Sequence, residues 1–304
     1  MGLSVVAALV VAEVALRFLV ADWSWVGMLE FDRPSGACFG LRPGAEVTYE
    51  GFWRRVPRST IAINALGYRD VRRAPTSEPG VPRIALVGDS HVFGLGTEFS
   101  QGLPQALERR LGGALGRRVE VLNAGVPGYD VAKELDALPA LLQRLHPQHL
   151  VFLLDPNDFA IVPCAFWKNR VRPLLQHVYL ARGAYMLLGG VSRPTTPSQR
   201  ALVAGFHAQT RRLQDLLQSL PAAERPSVTF AALGPLPCTA DPRQDCAVSL
   251  AREGVDLISL AEESQALWSQ PERYVITGEG HFNAQGLDRL AARLAEGIIA
   301  RRFR

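Results

Sequence analysis

Five short apolar runs, with stretches of helical spacing between them, constrain this chain more than any other feature. The runs are Ile84 to Val87, Val119 to Leu122, Leu150 to Leu154, Val228 to Leu233 and Val255 to Leu260. Each is long enough for one buried strand and too short for an ordinary helix. Helical patterns lie between them at about 101–115, 131–145, 198–220 and, more briefly, 247–253. A last helix over 284–302 repeats Leu287, Leu290, Ala291, Leu294 and Ile298. Parallel strands need crossover connections, and helices that serve as crossovers cover both faces of the sheet. The expectation for residues 81–304 is therefore an α/β domain, a three-layer sandwich around a mostly parallel five-stranded sheet.

Chemistry in such a sheet gathers at the C-terminal ends of the strands, where each strand fixes position and the following loop exposes backbone N–H groups. The first run ends in Gly88-Asp89-Ser90, which makes Ser90 the candidate nucleophile. A serine attacks only after a base takes its proton. Of the histidines at 91, 146, 149, 177, 207 and 281, His281 is singled out by its place in the Gly-flanked loop just before the last helix. Glu279, two residues earlier, is placed to orient the imidazole and to stabilise the imidazolium. Acyl transfer also needs donors aimed at an oxyanion. The second run leads into Asn123-Ala124-Gly125 and the third into Asp155-Pro156-Asn157-Asp158, which offers the Gly125 N–H and the Asn157 amide. By average residue usage, Gly-Asp-Ser alone arises in about one chain in ten of this length. The weight therefore lies on the ordered set and not on the tripeptide.

Together these blocks resemble the SGNH/GDSL hydrolase superfamily over about residues 60–300. Ile84-Ala85-Leu86-Val87-Gly88-Asp89-Ser90 is similar to its nucleophile block, and Asn123-Ala124-Gly125-Val126-Pro127-Gly128 to its glycine block. Asn157-Asp158 is similar to the asparagine block, and Gly280-His281-Phe282-Asn283-Ala284-Gln285-Gly286 to the histidine block. The resemblance implies a flavodoxin-like fold, Ser90 as nucleophile and His281 as base. It also implies an oxyanion hole of the Ser90 and Gly125 N–H groups with the Asn157 side chain, and no metal or cofactor. This chain departs from the pattern in three places: the family's usual aspartate position is Gly278, with Glu279 next to it; Asp155 stands where glycine is usual; and His91 follows the serine. Asn64-Ala65-Leu66-Gly67-Tyr68-Arg69-Asp70 and Ala12-Glu13-Val14-Ala15-Leu16-Arg17 resemble membrane-anchored bacterial members.

Residues 1–25 are read as an anchor or signal-like helix and 26–80 as an extension with short strands at Glu46 to Tyr49 and Thr60 to Ile63. Eleven Leu, Val and Phe residues within 1–21 favour insertion into lipid by about 3–7 kcal/mol, while two central charges cost about 5–7. The i, i+4 pairing of Glu13 with Arg17 and the interfacial residues Trp23 and Trp25 tilt that balance toward insertion. Residues 159–197 form an insertion read as a lid or a packed excursion. Cys238 and Cys246 bracket a polar loop that a disulfide would span in an oxidising compartment, and no Cys-x-x-Cys pair suggests zinc. The net charge is only +4 and the basic pairs are scattered, which argues against a nucleic-acid partner. These features describe a serine esterase anchored outside the cytoplasm and acting on an acylated small molecule or glycan. The alternatives are an O-acetyltransferase-like enzyme and a non-catalytic envelope module that binds glycan or takes part in assembly.

Overall fold

Most of the chain is built on one sheet, preceded by a helix and two small antiparallel strand pairs. The computed structural model describes residues 2–19, 27–31, 38–49, 59–159, 178–181, 184, 198–238, 246–277 and 279–303. Helix α1 spans Gly2–Leu19. Strand β1 (Leu29–Phe31) pairs with β2 (Phe39–Leu41), and β3 (Glu46–Tyr49) pairs with β4 (Ser59–Ala62). The sheet follows with β5 (Arg83–Gly88), β6 (Glu120–Gly125), β7 (His149–Leu154), β8 (Ser227–Ala232) and β9 (Val255–Ser259). Between and after these strands lie α2 (Ser90–Phe93), α3 (Leu103–Leu115), α4 (Val131–Leu145), α5 (Gln199–Gln218), α6 (Cys246–Arg252), α7 (Ala261–Trp268), α8 (Pro271–Tyr274) and α9 (Ala284–Arg302).

The strand order is β6-β5-β7-β8-β9, and every neighbouring pair is parallel, so the sheet is wholly rather than mostly parallel. Successive strand residues face opposite ways, and the two faces fill separate cores. Ile84 and Leu86 join Val121, Val151 and Leu153 beneath α3 and α9, while Ala85 and Val87 join Leu122, Leu150 and Phe152 beneath α4 and α5. The order reverses beside β5: the chain crosses from β5 to β6 on one side and then returns past β5 to β7 on the other. This reversal opens the crevice in which doubly wound sheets place their ligands.

The extension is not a loose leader. Met28, Phe39, Leu41, Tyr49 and Ile61 form a third core with Phe93, Leu95, Val126 and Tyr129, which lie near the C-terminal ends of β5 and β6. Tyr129 donates its hydroxyl hydrogen bond to the Phe39 carbonyl. The Arg69 guanidinium is buried and donates to the carbonyls of Phe93 (3.2 Å) and Thr97 (2.7 Å) and to that of Gly94 (2.5 Å), which clamps the turn after α2. Burial lowers the Arg69 pKa to about 10.

In α1, Glu13 and Arg17 form the expected pair at 3.7 Å, and Glu13 accepts the backbone N–H groups of Tyr179 (2.9 Å) and Leu180 (2.8 Å). Val5, Val6, Leu9, Val10, Val11 and Val14 are each more than half exposed. Among the described residues, no helix is long and apolar enough to cross a membrane. Trp23, Trp25 and most of the 159–197 insertion lie outside the described residues. Cys238 and Cys246 are joined as a disulfide, and Cys38 is disulfide-bonded as well.

Candidate active site

The loop that follows β5 is shaped by close packing. Asp89 caps α2, accepting the His91 N–H at 2.8 Å, and Gly94 ends the helix in a left-handed conformation. That turn holds Ser90 at the mouth of the crevice. Two glycines let α2 lie this close to the sheet. A Cβ on Gly125 would sit 2.3 Å from the Phe93 nitrogen, and one on Gly88 would sit 2.5 Å from Val92 Cγ2. Any larger residue at 125 would push α2, and Ser90 with it, off the strand ends.

The second arm arrives just before α9. Val275 bridges Phe282, the Ile276 N–H donates to the His281 carbonyl at 2.8 Å, and the Asn283 N–H donates to the Tyr274 carbonyl at 2.8 Å. Asn283 caps α9 through the Gln285 and Gly286 N–H groups. A Cβ on Gly286 would lie 2.7 Å from the Tyr274 carbonyl oxygen, so glycine is needed for this closed loop. The loop presents His281 Nε2 at 2.9 Å from Ser90 Oγ, across 191 residues of sequence.

Burial, reinforced by the neighbouring His91 and opposed by Asp89, lowers the His281 pKa to about 4. At neutral pH the ring is thus uncharged and able to accept a proton. The His91 and His281 rings lie 5.3 Å apart. Burial alone would lower His91 and raise Asp89, but the two face each other at 3.4 Å and their attraction wins, raising the histidine and lowering the acid. His91, which on sequence alone stood out only as a departure, therefore faces Asp89 at 3.4 Å beside Ser90 in sequence, its proton held more firmly than in a free imidazole.

Glu279 Oε2 is 3.9 Å from His281 Nδ1, past hydrogen-bond range, and Nδ1 has no hydrogen-bond partner among the described residues. The same Oε2 accepts the Tyr49 hydroxyl at 2.6 Å. The oxyanion donors also differ from expectation in detail. The Gly125 N–H donates to the Asn123 side-chain oxygen at 3.1 Å, so an oxyanion would have to compete with or displace that bond. Asn157 lies in the short 3-10 turn Pro156–Phe159 that follows β7, and its side chain is outside the described residues. Asp158 in the same turn accepts the Asp155 N–H at 2.7 Å, and burial raises its pKa well above the carboxylate range. Burial does the same to Glu134 on α4, whose two oxygens lack hydrogen-bond partners among the described residues. Sequence reasoning had no signal for Glu134, and it read Tyr49 only as a strand residue and Arg69 and Asn123 only as members of their blocks, with no part in this arrangement.

No metal-binding group of His, Cys, Asp or Glu occurs among the described residues.

No family model matches the chain. It is similar to the esterase TesA of Pseudomonas aeruginosa, with 31% identity over 131 residues, or 42% of this chain and 64% of that esterase. The chain thus spans somewhat under two thirds of that relative's length. Among solved structures, a TesA crystal structure is 21% identical with a TM-score of 0.44, covering 71% of this chain and 97% of that one. The psychrotrophic esterase EstA from Pseudoalteromonas sp., inhibited by monoethylphosphonate, is 14% identical with a TM-score of 0.45, covering 72% and 97%. A family 3 carbohydrate esterase of Clostridium thermocellum is 12% identical with a TM-score of 0.44, covering 72% and 96%. The sheet order and the blocks at its strand ends are those that the resemblance to the SGNH/GDSL hydrolase superfamily implies, and the sequence likeness to the TesA esterase supports that resemblance.

Proposed function

We propose that the chain is a serine esterase, with Ser90 as nucleophile, His281 as general base and Glu279 as the acid behind it. The observation that carries this reading is the 2.9 Å contact between Ser90 Oγ and a neutral His281 at the sheet's switch point. His281 Nε2 takes the Ser90 proton as Oγ attacks the ester carbonyl carbon. The C–O bond to the leaving group then breaks, and His281 returns the proton to the departing alkoxide. Water, deprotonated by the same nitrogen, attacks the acyl-Ser90 and releases the acid. The Ser90 and Gly125 N–H groups and Asn157 are the proposed oxyanion donors. The substrates fitting this chemistry are acyl esters, including acylated sugars. The test is turnover of p-nitrophenyl acetate by purified protein. Ser90→Ala should abolish it, and unchanged turnover would refute the assignment.

We further propose that α1 attaches the chain to a membrane outside the cytoplasm. The exposed valine and leucine face of α1 supports contact with lipid, and the Cys238–Cys246 disulfide supports an oxidising compartment. Co-flotation of the full chain with phosphatidylglycerol vesicles, lost on deletion of residues 2–19, is the expected result. Flotation that survives the deletion would contradict it.

A further inference from the structure

The acid behind the base is held by a residue from outside the hydrolase core. We propose that Tyr49, on the β3–β4 pair of the N-terminal extension, is a positioning residue of the active site, holding Glu279 ionised and aimed at His281. The inference rests on the esterase reading above.

Tyr49 is fully buried, and its hydroxyl donates to Glu279 Oε2 at 2.6 Å across 230 residues of sequence. That oxygen is also the one facing His281 Nδ1 at 3.9 Å. The Glu279 side chain is only 2% exposed. A carboxylate taken this far from water favours its neutral form unless a donor supports the charge, and a neutral acid cannot stabilise an imidazolium. The phenol is such a donor.

Its position is fixed from three sides. Tyr49 ends β3, opposite Ser59 of β4, in the core shared with Phe93 and Leu95. Its ring borders Gly96, where an added Cβ would lie 3.9 Å from Tyr49 Cε1 and 2.7 Å from Ile276 Cδ1. Gly96 also has φ +81°, so a side chain there would be strained as well as crowded. The turn carrying Gly96 is the one clamped by Arg69. On the other side, the Glu279 N–H donates to the Ile276 carbonyl at 3.1 Å, which seats the acid over the same residue. The extension therefore does more than cover the core. It completes the line Tyr49, Glu279, His281, Ser90, in which the glutamate oxygen that takes the phenol's hydrogen bond stands 3.9 Å from the imidazole. The other charged groups acting on His281 are His91, which lowers its pKa, and Asp89, which raises it.

The experiment is the pH profile of p-nitrophenyl acetate hydrolysis by the full chain and its Ser90→Ala, Tyr49→Phe, Glu279→Gln and doubly substituted Tyr49→Phe/Glu279→Gln variants. Tyr49→Phe keeps the ring and should lower kcat at neutral pH by about tenfold or more, as expected for loss of a hydrogen bond to a charged group, with KM within about twofold. Its acid limb should move to higher pH, because Glu279 loses one donor that favours its charged form. In the Glu279→Gln background the same substitution should cost less than about threefold. Replacing Tyr49 with 3-fluorotyrosine, a stronger donor of nearly the same size, should move the acid limb the opposite way and tests the idea even if Tyr49→Phe folds poorly. A pH-independent loss, losses that multiply in the double variant, or a fluorotyrosine profile that overlays the parent would overturn the proposal. If Ser90→Ala retains turnover, the esterase reading itself fails. If Ser90→Ala is inactive while Tyr49→Phe matches the parent, only the role of Tyr49 fails.

Discussion

Two buried histidines occupy opposite edges of the same sheet, and burial has lowered both to a pKa of about 4. His149 starts β7, level with Ile84 at the beginning of β5. Its Nδ1 meets Ser227 Oγ at 2.7 Å and its Nε2 meets Thr229 Oγ1 at 3.2 Å. His281 lies past the strands' far ends, with Nε2 on Ser90 and Nδ1 left without a hydrogen bond among the described residues. Both histidines touch a serine hydroxyl and both are shifted, so neither property identifies a base. Position does. At the N-terminal edge both nitrogens of His149 are engaged by residues of the neighbouring strand. The C-terminal edge, where ligands gather in such sheets, brings His281 to Ser90 and Glu279, the proposed nucleophile and acid.

The sharpest way to break this contrast is to remove each imidazole. His281→Ala should lower kcat/KM for p-nitrophenyl acetate by about a thousandfold or more, since the base is lost, while the thermal midpoint moves by only a few degrees. His149→Ala should do the reverse, costing about 1–3 kcal/mol in urea unfolding through two orphaned hydroxyls and a cavity, with kcat within about threefold. A His149→Ala enzyme that is stable but inactive would invert the assignment.

Acid sharpens the same contrast. Both histidines are neutral when folded, with pKa values of about 4 against an ordinary 6.5. The unfolded chain therefore binds more protons between about pH 6.5 and 4, and stability falls as pH drops through that window. His149→Ala should flatten the part of this decline that it owns without moving the acid limb of kcat/KM. That limb should lie near pH 4 and not near 6.5 in the parent. The smallest expected effect comes from His91→Phe, which removes the cation that depresses His281 and should move the acid limb upward.

Much of this architecture is legible in the chain itself. Four of the five strands fall within a residue of the apolar runs and β6 runs three residues past its own, to Gly125; the agreement arises because residues buried on both faces leave an uninterrupted apolar signature. Ser90 and His281 were readable because glycine and capping requirements around them write a local pattern. The first strand pair escaped notice because β1 and β2 are each three residues long, too short for a period to register. Tyr49 was read only as part of a strand. Its partner lies 230 residues away, and nothing local distinguishes a tyrosine that packs from one that holds an acid. The same holds for the Asn123 oxygen that engages Gly125, since a side chain's choice among nearby donors depends on how the turn closes.

The most direct test of the central claim is labelling by a fluorophosphonate, which reacts only with an activated serine. The account predicts one equivalent bound per chain and mapped to Ser90, absent in Ser90→Ala, slowed by about a hundredfold or more in His281→Ala, and unchanged in His149→Ala. No labelling of the parent protein, labelling at another serine, or loss of labelling in His149→Ala would contradict it.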